Sequence, residues 1–124
     1  MPAAIATAGL ERKIDADSTD WKARVAVARS YAEAGRYDEA IPQLGAAARL
    51  QPTESRVPFF WGLVLLQHGR KDAALAKLKR ARDLDPDNWR IRKQIWAIEN
   101  PDKFYTDASP DYGWQSEQLK KEKK

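Results

Sequence analysis

Gly35-Arg-Tyr-Asp-Glu-Ala40-Ile-Pro-Gln-Leu44-Gly-Ala-Ala47-Ala-Arg-Leu50-Gln-Pro52 returns further along the chain as Gly69-Arg-Lys-Asp-Ala-Ala74-Leu-Ala-Lys-Leu78-Lys-Arg-Ala81-Arg-Asp-Leu84-Asp-Pro86. Gly35 pairs with Gly69, Asp38 with Asp72, Ala40 with Ala74, Leu44 with Leu78, Ala47 with Ala81 and Pro52 with Pro86. Every pair has the same offset, 69 − 35 = 34 residues, with no insertion. Self-similarity at a fixed period of this length marks a repeat architecture. Each shared position has a physical reason. The glycines suit a helix end, where the chain must adopt positive φ. Ala40, Leu44 and Ala47, like Ala74, Leu78 and Ala81, fall at i, i+4, i+7 on one helical face. Small residues around one leucine let neighbouring helices approach closely. Pro52 and Pro86 stop the second helix. The unit is helix, Gly turn, helix, Pro turn.

Outward from this pair, Leu10–Trp21 parallels Leu78–Trp89, with Asp15, Asp17 and Trp21 matching Asp83, Asp85 and Trp89. This predicts a leading half repeat over 3–16. Further helices are expected over 20–34, 37–50 and 71–84, with one from Ser55 to Gly69 and one over 88–99. Pro42 predicts a bent first turn in the helix over 37–50, whereas Pro58 falls in the first turn of its helix, where a missing N–H costs little. The repeats then span 20–52 and 54–86 within a helical domain of residues 1–100. In the helix over 88–99, Trp96 stands where Ala28 and Gly62 stand in the repeats before it. An indole there blocks the usual neighbour, so the tail, 101–124, is expected to cover it. That tail carries Phe104, Tyr105, Tyr112 and Trp114, with a short helix expected from Gln115 to about Lys121 before the lysines.

A 34-residue helix–turn–helix unit with these small-residue and proline markers resembles the tetratricopeptide repeat. Tyr31, Ala40, Leu44, Ala47 and Pro52 fill the pattern once. Trp61, Gly62, Leu65, Ala74, Leu78, Ala81 and Pro86 fill it again. The first repeat departs by carrying Val27-Ala28 where the family prefers Leu-Gly. The resemblance covers roughly residues 3–99. It implies an all-α fold, a short right-handed superhelix of antiparallel helix pairs, and a groove that receives a segment of a partner protein.

Composition removes several classes of function. The chain has no cysteine, which excludes disulfides, thiolate metal sites and cysteine catalysis. Its longest apolar run, Val57–Leu66, is far short of a membrane span. Met1–Leu10 lacks the basic start of a secretory signal, so a soluble cytoplasmic protein is expected. Net charge is 22 − 18 = +4, of which the last five residues supply 4 − 1 = +3. A basic tail on a nearly neutral body leaves nucleic-acid binding as a minor reading. His68 is the sole histidine, and a helix-end contact is expected of it rather than metal ligation. Asp83-Leu-Asp-Pro-Asp-Asn echoes a calcium loop, but it lacks the sixth-place Gly and the closing Glu. These residues read instead as helix ends and N-caps. No phosphate loop or nucleophile elbow occurs, so no catalysis and no cofactor are expected.

The helix starting at Ser55 carries the functional signal. Val57, Trp61, Val64 and Leu65 share the face toward its repeat partners. The other side, polar in an ordinary surface helix, holds Phe59, Phe60, Leu63 and Leu66. In the resembling family this side lines the groove. The expected partner-binding residues are therefore Arg29, Phe59, Phe60, Leu63, Arg90 and Lys93. Phe59 and Leu63 would anchor an apolar side chain, and the basic residues would orient acidic or carbonyl groups. The occupant could equally be the chain's own tail or a second copy. The family's C-terminal carboxylate clamp is not matched, since Val25, Arg29 and Phe60 occupy its Lys and Asn positions and Arg90 alone fits. A weaker resemblance links Ile91–Tyr105 and Asp111–Gln115 to segments that follow repeats in some redoxin-like bacterial chains. It implies at most an accessory role beside a thioredoxin-fold enzyme.

Overall fold

The computed structural model describes residues 3–104, and those residues form seven helices and no strand. They are α1 (Ala3–Ala16), α2 (Trp21–Glu33), α3 (Tyr37–Leu50), α4 (Arg56–Gln67), α5 (Lys71–Leu84), α6 (Trp89–Glu99) and α7 (Pro101–Phe104). The pairs α2–α3 and α4–α5 are the two repeats, and each helix packs on the next in chain order. The result is the expected all-α right-handed superhelix of antiparallel pairs. The short helix expected near Gln115, and the part the tail plays beyond Phe104, lie outside the described residues.

The two glycine turns are the same object twice. Gly35 has φ 76° and Gly69 has φ 78°. After α2, the Gly35 N–H donates to the Ala32 carbonyl (3.0 Å) and the Arg36 N–H to the Tyr31 carbonyl (2.8 Å). After α4, Gly69 donates to Leu66 (3.0 Å) and Arg70 to Leu65 (2.8 Å). This is the Schellman arrangement, which satisfies carbonyls that a helix end would otherwise leave bare. At the other ends, the Asp20 side chain caps α2 by accepting from Ala23 N–H, and Asn88 caps α6 by accepting from Arg90 N–H. The carboxylates around residue 85 are helix ends as well, with Asp85 the C-cap of α5 and its Oδ2 bonded to Asn88.

Both prolines inside helices are accommodated. α3 runs unbroken through Pro42, which is exposed, so water can reach the carbonyl that its missing N–H leaves unbonded. Pro58 sits in the first turn of α4, where the N–H has no intrahelical partner to lose. α6 ends at Glu99 as expected, but Pro101 immediately opens a further turn, α7. Trp96 is buried, its ring edge-on to Trp89 at 5.3 Å.

The core has two parts. Val25, Val27, Ala28, Tyr31, Ala40, Leu44, Ala47, Val57 and Val64 join α2, α3 and α4. Phe59, Leu78, Ala81, Ile91, Ile95 and Ile98 join α4, α5 and α6. The junction between repeats is fastened at one end by Tyr37, which stacks on His68 at 4.1 Å and donates from its hydroxyl to the Gln67 carbonyl (3.3 Å). Close packing inside the second repeat depends on Gly62. A Cβ there would lie 2.7 Å from Leu78 Cγ and 3.1 Å from the Ala74 carbonyl oxygen. Leu78 Cγ is the root of a buried side chain and cannot swing aside.

Gly62→Leu should therefore lower stability by about 1–3 kcal/mol, the usual cost of overpacking, as read by urea denaturation. Gly45→Ala is the contrast, because its Cβ would meet only Arg49 Nη1 at 3.7 Å and Trp61 Cη2 at 3.9 Å. That change should stabilise the protein by up to about 1 kcal/mol through helix propensity.

Candidate functional site

The first helices of the repeats, α2, α4 and α6, lie side by side, and the aromatic ring of Phe60 stands between two hollows. One, of 180 Å³, is lined by Ser55, Arg56, Phe59, Phe60, Asn88, Arg90 and Ile91, between α4 and α6. The other, of 230 Å³, is lined by Trp21, Lys22, Val25, Ala26, Arg29, Arg56 and Phe60, between α2 and α4. Each is below the roughly 300–1,000 Å³ of small-molecule sites. Each suits a single side chain of a bound segment.

Phe59 and Phe60 meet edge to face at 5.3 Å. Their roles differ more than adjacent positions suggest. Phe59 is only 8% exposed and belongs to the core that α4 shares with α5 and α6. It lines the first hollow with little open surface of its own. Phe60 is half-buried, packs against both parts of the core and borders both hollows. Leu63 is half-buried against the second core cluster and Lys93 is half-buried on α6, and neither borders these two hollows.

The cations are held by rings. The Arg29 guanidinium lies 4.4 Å from the Phe60 ring centre, and the Arg90 guanidinium lies 5.8 Å from that of Phe59. Such stacking is worth about 0.5–1 kcal/mol at exposed sites. Both arginines are exposed, and neither makes an ion pair among the described residues. Their N–H edges are therefore available to acceptors. Arg56, which lines both hollows, is placed differently. Its Nε donates to Glu54 Oε1 at 2.7 Å, and its guanidinium lies 5.1 Å from the Trp21 ring centre. The hydrogen bond from Arg56 holds the Glu54 carboxyl below the usual glutamate range and raises Arg56 in turn.

Arg56 is the residue that sequence reasoning missed, although a signal for it existed. Lys22, Arg56 and Arg90 are successive repeat equivalents, since 56 − 22 = 34 and 90 − 56 = 34. All three are exposed, so the same place in each repeat presents a cation along this face. No group of His, Cys, Asp and Glu able to hold a metal ion occurs among the described residues, and none of their helices is long and apolar enough to cross a membrane.

Paired helices with identical turns, stacked at constant spacing, define an α-helical repeat scaffold. The chain belongs to the tetratricopeptide repeat family, whose model matches residues 4–55 and again residues 25–88. That match ends before the tail, so it lends nothing to the weaker redoxin likeness. Among curated proteins no match is found. Among solved structures, a mutant O-GlcNAc transferase of Thermobaculum terrenum is similar, with TM-score 0.72 and 20% identity over 84% of this chain, which spans 19% of that one. MamA of MSR-1 has TM-score 0.67 and 24% identity, covering 98% of this chain and 70% of its own length. MamA of AMB-1 has TM-score 0.63 and 25% identity, covering 93% and 62%. These likenesses bear on the fold.

Because its folded-state pKa is depressed, Glu54 contributes stability that is complete above the ordinary glutamate pKa. That contribution is lost as pH falls through the depressed value. An NMR titration should place the Glu54 midpoint below that of an ordinary glutamate, and Arg56→Gln should move it back up.

Proposed function

We propose that the protein is a non-catalytic protein–protein interaction module that captures a segment of a partner across α2, α4 and α6. The observation that carries this reading is Phe60, a half-buried ring between two side-chain-sized hollows with an unpaired guanidinium stacked on it. Partner segments commonly anchor one bulky side chain in a small preformed hollow of this kind. Membership of the repeat family points the same way. Of the residues expected from the sequence, Arg29, Phe60 and Arg90 form the centre of the proposed site, and Phe59 supplies one wall. Leu63 and Lys93 extend the same face farther along. Arg56 joins them.

The segment best suited to this face carries one bulky apolar side chain flanked by carboxylates. The apolar group enters a hollow beside Phe60. The carboxylates meet Arg29 and Arg90, whose planar forks can each bond two oxygens at once. Burying the apolar group accounts for most of the affinity, and the cations fix orientation and speed encounter.

A random peptide library selected on the intact protein should be enriched in acidic residues around a Leu, Phe or Trp. Phe60→Asp should abolish that binding while leaving helical content unchanged. Arg29→Glu with Arg90→Glu should weaken it about tenfold or more and remove much of its salt dependence. Selected peptides that ignore Phe60→Asp would overturn the reading.

A further inference from the structure

α6 opens a third repeat whose second helix is absent among the described residues, and the register shows which side of α6 that helix would have covered. Trp96 is the equivalent of Gly62 and Ala28, since 96 − 62 = 34 and 62 − 28 = 34. Gly62 lies beneath Leu78 and Ala74 of α5, and Ala28 packs in the cluster that holds Ala40 and Leu44 of α3. Arg92 is the equivalent of Arg24, whose Nη1 donates to Gln43 of α3 at 2.8 Å. Arg92 and Trp96 thus form the stripe that faces the second helix in a complete repeat, and the Trp89 ring meets Trp96 edge-on at 5.3 Å. A different stripe, Ile91, Ile95 and Ile98, is the one that joins α5.

The described elements packed on α6 are chiefly α5 and α7, and α7 is a single turn of four residues. A fourteen-residue helix does this work in each complete repeat. Yet Trp96 is 4% exposed and Arg92 8%. An indole in place of glycine also forbids a second helix at the usual close distance. Whatever covers this stripe stands farther off and is itself bulky.

We propose that the C-terminal segment, residues 105–124, takes the place of the missing helix. Its Tyr112 and Trp114 lie against Trp89 and Trp96, and the face formed by α2, α4 and α6 is left to a partner. The segment begins directly after α7, which packs on α6, so it starts within a helix length of the stripe. The distance is within reach. The eleven residues of α6 span about 16 Å at 1.5 Å per residue, whereas residues 105–112 can extend to about 26 Å. The composition fits too, for Tyr105, Tyr112 and Trp114 are large rings of the kind that pack edge to face on other rings. This assignment does not depend on what the groove binds.

The absence of cysteine makes the test clean, because Asp111→Cys in the full chain gives one site for a nitroxide label. The expected result is broadening of the Trp89 and Trp96 indole N–H signals while that of Trp21 stays sharp. Broadening of Trp21 together with the Arg29 and Phe60 amides would place the segment in the groove and overturn the proposal. So would a spectrum in which no indole is selectively broadened. Mixing isotope-labelled chain with separately spin-labelled chain should leave every indole sharp, and broadening there would make the occupant a second copy. Trp114→Ala should cost the Trp96 indole its protection from hydrogen exchange with α2 unaffected. Unchanged protection would count against the contact.

Discussion

The structure depends on α4 being packed upon by the helix pairs on both sides of it. Val57 and Val64 enter the core shared with α2 and α3, Phe59 enters the core shared with α5 and α6, and Gly62 lets Leu78 and the Ala74 carbonyl come to contact. A helix this apolar is stable only when its neighbours cover nearly its whole circumference. Two helix pairs meeting at one shared helix do so, and Phe60 occupies the narrow arc left between α2 and α6. The candidate site is therefore a by-product of packing. Its ring is held from behind by both parts of the core, and its outer edge faces water.

Much of the architecture was legible because the repeat constrains it twice. A glycine at 35 alone suggests a helix end. A glycine at 69 with the same neighbours turns that suggestion into a geometry, and the two turns agree within 0.1 Å in their paired hydrogen bonds. Helix bounds followed the same logic, with Pro52 and Pro86 each one residue beyond a C-cap. Pro42, six residues into α3, faces solvent, and the helix carries on through it.

The site was harder to read, for a reason that lies in helix wheels. A wheel groups Phe59, Leu63 and Leu66 on one side because it knows only the angle about one axis. In a stacked array that side is divided between a covered flank and an open one, and the division is set by α6, which the wheel does not contain. Phe59 falls on the covered flank and Phe60 at the opening. Arg56 was overlooked for the opposite reason. It stands in the first turn of α4, away from the apolar stripe, and only comparison with positions 22 and 90 singles it out.

The guanidinium of Arg29 is already seated on Phe60, and that of Arg90 already leans toward Phe59. A long flexible side chain normally gives up rotamer freedom when it takes hold of a ligand, about 0.5–1.5 kcal/mol for each one immobilised. Here part of that entropy is surrendered when the chain folds. Association can then proceed with little rearrangement, and replacing either arginine by lysine, which keeps the charge but not the flat stacking surface, would forfeit the advantage.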